Sequence, residues 1–149
     1  MEMLVVLAVV AMLLGVSIPF FASFTKGAKL KTAASDLTAI LNTARSFAIT
    51  YRQNYSVVFD SSSAPHSYYI VDNSGQVYGK KYNLPSGTKF SRPSSPEQAT
   101  TFEADRAVFT STGGLSGSSG SVWVADKKQD FRRVNVSNTT GRVRIDKEP

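Results

Sequence analysis

Residues 3–24 (MLVVLAVVAMLLGVSIPFFASF) contain no charged side chain. About 20 apolar residues are needed to cross a hydrocarbon core roughly 30 Å thick. A backbone in that medium must satisfy its own hydrogen bonds, which for a single segment means a helix. The sequence therefore predicts a membrane-spanning helix joined to a polar head. A secretory signal has a basic start and an apolar run of about 7–15 residues. Here the start is MEML and the run is longer, so the segment reads as an anchor. The first positive charges, Lys26, Lys29 and Lys31, lie after it. By the positive-inside tendency alone they would leave the head cytoplasmic.

Two residues in this region stand out. Glu2 is either a solvated carboxylate at a helix N-terminus, favoured by the dipole, or a charge that enters the membrane paired with a partner. Pro19 removes a helical hydrogen bond and crowds the carbonyl of Gly15. A kink or short melted stretch near residues 15–19 is expected.

From Lys26 the pattern becomes amphipathic. Leu30, Leu37, Leu41, Ala44 and Ala48 fall at helical spacing, widened by Ala33, Ile40 and Phe47. Lys29, Lys31, Asp36, Asn42 and Arg45 mostly lie off that stripe. A 3.6-residue period over this length predicts one helix from about residue 2 to 53. At 1.5 Å per residue it is roughly 75–80 Å long.

After Asn54 the period falls to two. Strands are expected at 55–60, 66–71, 76–82, 106–110, 121–125, 131–137 and 141–145, with a Pro- and Ser-rich loop at 85–96. The links are too short for helical crossovers, so the strands should run antiparallel. The fold class is α+β, a long N-terminal helix packed on a mainly antiparallel sheet. Residues 1–25 form the membrane or filament-core half of the helix, 26–54 its amphipathic half, and 55–149 the β-rich head.

With no cysteine and the single histidine His66, the chain lacks thiolate sites, disulfides and multi-imidazole metal sites. No phosphate-loop or HExxH pattern occurs, and His66 beside Pro65 reads as a surface histidine. Neither enzymatic activity nor a metal or cofactor is expected.

The remaining signal is charge. The chain carries 17 Lys and Arg against 11 Asp and Glu, a net +6. That balance favours anionic partners, nucleic acid or phospholipid headgroups. Lys127, Lys128, Arg132, Arg133, Arg142 and Arg144 lie within residues 127–147. Arg142 and Arg144 are two apart in a predicted strand and should share a face, whereas Arg132 and Arg133 should point to opposite faces. Two guanidinium groups on one face can grip phosphates bidentately. The plainer account is the solvated outer face of a half-buried sheet, with Val143 and Ile145 inward.

Glu2 followed by MLVVLAVVAMLLGVSIP resembles the N-terminal helix of the type IV pilin superfamily, in which a proline follows an acidic residue seventeen positions later. Glu2 and Pro19 keep that spacing. Thr43-Ala-Arg-Ser-Phe-Ala-Ile49 and the segment from Phe109 to Ile145, ending in GRVRI, resemble the GspH/FimT group of minor pseudopilins. The resemblance implies processing by a prepilin peptidase, methylation as in family members, and a head in the periplasm outside a bacterial inner membrane. It also implies assembly with other pilins or pseudopilins through the N-terminal helix, with Glu2 setting register. The implied function is a minor pseudopilin of a type II secretion or type IV pilus filament. It would sit at or near the tip and contact other subunits or secreted cargo. FimT-like members act in DNA uptake, a role associated with a GRxR motif that Gly141-Arg-Val-Arg144 matches. DNA is therefore the alternative partner.

Overall fold

The computed structural model describes residues 2–147, apart from the side chains of residues 2, 4 and 14–26. Helix α1 (Glu2–Tyr51) is helical without interruption, so no melted stretch occurs at residues 15–19. The side-chain roles expected of Glu2 and Pro19 lie outside the described residues. The same holds for much of the expected span 3–24. Among the described residues, no helix is long and apolar enough to cross a membrane.

The amphipathic half buries the stripe its period predicts. Leu30, Ala33, Leu37, Leu41, Ala44 and Ala48 are buried, joined by Ala34 and Ile40. Burying a leucine fully contributes about 1.5–3 kcal/mol. The small alanines between the leucines let the sheets approach the helix closely. The helix ends after Tyr51, where Arg52 takes a left-handed conformation (φ 54).

Among the described residues eight strands follow: β1 (Tyr55–Asp60), β2 (Ser67–Val71), β3 (Val77–Asn83), β4 (Thr88–Phe90), β5 (Arg106–Phe109), β6 (Gly120–Asp126), β7 (Phe131–Val136) and β8 (Val143–Lys147). They form two four-stranded sheets, β3-β2-β1-β5 and β4-β6-β7-β8. Every strand pairing is antiparallel. Both sheets pack on the same helix. The expected single sheet is thus two. β4 lies inside the Pro- and Ser-rich segment read as loop, because three residues are too few to show a period.

Aromatic rings close the seam between the sheets. Phe59 of β1 meets Phe90 of β4 edge-on at 5.7 Å and stacks on Phe102 at 5.7 Å. His66 is part of this seam and is not the surface residue expected. It is half-buried, and its Nδ1 accepts the backbone N–H of Phe90 at 3.0 Å. It therefore ties the start of β2 in one sheet to β4 in the other.

Candidate functional site

Strand β8 is an edge of the second sheet, and its register with β7 fixes which side chains share a face. Val134 pairs with Ile145 and Val136 with Val143, so these residues face the helix side. Arg133 pairs with Asp146 and Asn135 with Arg144 on the opposite, outer face. Arg142 precedes β8 by one residue and is exposed, as is Arg144. The two arginines share a face as their spacing predicts. Val143 is half-buried against the core, whereas Ile145 is 43% exposed. Ile145 is less covered than expected because, among the described residues, nothing pairs beyond the edge strand.

Arg142 and Arg144 line an open groove of about 480 Å³ with Ser119, Asn135, Ser137 and Thr140. The lining offers two guanidinium groups, three hydroxyls and one amide, and no carboxylate. Such a donor set suits phosphate oxygens. Arg133 is nearby on the same face, but Asp146 engages it at 3.2 Å. Arg132 is half-buried on the other face, opposite Lys147. Lys127 and Lys128 lie in the β6–β7 turn, at the far end of the sheet from Arg142. Of the six basic residues considered, only Arg142 and Arg144 are brought together in this groove.

The groove is held by a junction that sequence reasoning missed. Arg45 on α1 donates through Nε to the Gly113 carbonyl at 3.0 Å. Gly141 packs against both. Its φ is +62, and a Cβ there would lie 2.0 Å from the Gly113 oxygen and 3.0 Å from Arg45 Nε. The 137–142 loop is further tied by Gly141 N–H to the Ser137 carbonyl and Leu115 N–H to the Asn138 carbonyl. The guanidinium pair is thus carried on a loop clamped to the helix. The glycines at 113, 114 and 141, flanking strand-like runs, are the signal that could have revealed it.

Residues 33–140 match the family model of the type II transport protein GspH. The chain belongs to the GspH family. Its fold is also that of solved filament subunits. The type IV minor pilin FimU of Pseudomonas aeruginosa is 23% identical, with a TM-score of 0.60 over 85% of this chain and 92% of that one. The minor pseudopilin EpsH from the type II secretion system of Vibrio cholerae is 15% identical, with a TM-score of 0.59 over 82% of this chain and 96% of that one. No curated protein sequence matches the chain. The match to the GspH model spans most of the head and begins at Ala33, where the buried helix stripe is already established.

Proposed function

We propose that this GspH-family chain is a minor pseudopilin, a structural subunit of a type II secretion or type IV pilus filament. The observation that carries the reading is the uncovered first part of α1. Met3, Val5, Val6, Leu7 and Met12 are 61–82% exposed, with none of the described residues of the head lying over them. Such a surface is stable only under another apolar medium. Lipid supplies it before assembly and sister helices supply it afterwards. The remaining features come from the family resemblance: insertion in the inner membrane, a periplasmic head, prepilin-peptidase processing, Glu2 in register setting, and a position at or near the tip. The role is one of assembly, with the head meeting other subunits or cargo.

A photoreactive side chain at Leu7 or Met12, in cells making the filament machinery, tests the reading. Cross-links to the N-terminal helices of other pilin-type subunits are expected. Cross-links to lipid alone, with the machinery present, overturn it.

A second reading is favoured by the groove. Arg142 and Arg144 are exposed and unopposed by carboxylate there, which supports DNA binding in an uptake pilus. The full chain in detergent, titrated with duplex DNA at several salt concentrations, should bind with affinity that falls steeply with salt. Arg142→Ala with Arg144→Ala should flatten that slope. Binding untouched by the double substitution sinks this reading.

A further inference from the structure

A second group of basic residues lies apart from the arginine groove and lines a groove of its own. Lys29 on α1 donates to the Ser86 carbonyl at 3.4 Å and to its hydroxyl at 3.5 Å. The adjacent Gly87 lies against Lys127, whose Cε would be 3.8 Å from a Cβ placed there. Lys29, Lys127 and Lys128 together border an open groove of about 370 Å³ beside the Ser86–Gly87 turn. All three are exposed, and none has an ion-pair partner among the described residues. Asp126 also lines the groove and closes its own turn, accepting from the N–H groups of Lys128 and Asp130, so three ammonium groups there face one carboxylate. Asp130 is the other acid of that turn.

Position along the helix decides what this group faces. Lys29 precedes Arg45 by 16 positions, about 24 Å along the axis. Lys127 is tied to the level of Lys29, and Arg142 to the level of Arg45 through Gly141. One basic group therefore marks each end of the head. The lower one lies four residues beyond Thr25, the last residue of the uncharged run, or about 6 Å. That distance falls within the headgroup zone flanking a hydrocarbon core and within one screening length of its charge.

We propose that Lys29, Lys127 and Lys128 form a docking surface for anionic phospholipid headgroups, seating the head on the membrane before the subunit enters a filament. The inference rests on the anchored-subunit reading above. The head leaves the membrane when the helix is drawn into the filament, and the lysines then exchange lipid phosphate for solvent.

The full chain is reconstituted into vesicles of phosphatidylcholine alone and of phosphatidylcholine with phosphatidylglycerol. A fluorophore is attached at Ser94→Cys, in a chain with no other cysteine, and an acceptor is placed on the headgroups. Energy transfer should be higher in the anionic vesicles and should fall with salt. Lys29→Gln, Lys127→Gln and Lys128→Gln together should return it to the neutral-vesicle level. The expected loss is about fivefold per lysine in the ratio of docked to free head. Arg142→Gln with Arg144→Gln should leave docking unchanged. A chain that floats with both vesicles but docks equally on each overturns this inference alone. Floating with neither overturns the anchored reading and this inference with it. DNA binding that depends on Lys127 and Lys128 as strongly as on Arg142 and Arg144 also overturns it, because the two ends would then serve one ligand.

Discussion

Gly141→Ala is the substitution for which the structure makes the sharpest demand. Two costs add. Holding an alanine at φ +62 costs about 1 kcal/mol. The added Cβ would also stand 2.0 Å from the Gly113 oxygen, a backbone atom that cannot swing aside as a side-chain end can. The loop must move, and the bond from Arg45 to that oxygen is broken. A hydrogen bond from a charged donor is worth about 1.5–3 kcal/mol. The total is about 2.5–4 kcal/mol, or a fall in Tm of roughly 5–15 °C for a chain of this size. Gly117→Ala is the matched control. Its φ is +94, but a Cβ there meets nothing within 4 Å. It should show the conformational cost alone, about 1 kcal/mol. Thermal unfolding of the full chain in detergent, followed by near-ultraviolet circular dichroism, measures both. Equal shifts for the two variants would refute the clamp between helix and loop.

Other consequences concern the seam, the core and the groove. His66 has its pKa lowered from 6.5, chiefly by burial and further by Lys89. Its neutral form is therefore favoured on folding, and the unfolded chain binds more protons as pH falls below 6.5. Stability should be full above that pH and decline as acid protonates the acceptor of Phe90 N–H, and His66→Gln should flatten this dependence in pH-dependent denaturant melts. Leu41→Ala, at a fully buried position, should cost about 2–5 kcal/mol by urea unfolding. Asp146→Asn should change stability by less than about 1 kcal/mol, since its ion pair is partly exposed. The same substitution weakens the hold on Arg133 and should raise DNA affinity and its salt dependence if the groove reading holds.

The helix and seven strands were legible because each carries a period over five or more residues, or lies between clear turn signals. The GRVR pair was legible for the same reason, since alternation assigns a face. What failed depended on partners distant in sequence. β1 pairs with β5, Tyr55 opposite Phe109, and no local pattern announces that the strands divide into two sheets. β4 is three residues long and owes its place partly to His66. Residues 127–147 read as one basic tract, yet the antiparallel turns send Lys127 and Arg142 to opposite ends of the head. Arg45 looked like a solvated residue beside the apolar stripe, and only the fold shows the carbonyl that it holds.

The order of elements also sets a timetable for synthesis. The helix emerges first, and its stripe from Leu30 to Ala48 is covered by strands that end only at Lys147. At about 5–20 residues per second, that face waits on the order of ten seconds for its second sheet. During that interval the newborn chain presents two adjoining greasy surfaces. On the anchored reading proposed above, lipid can shelter only the first, and the second must be hidden by β1 and β2, the earliest strands available, before a neighbouring chain reaches it.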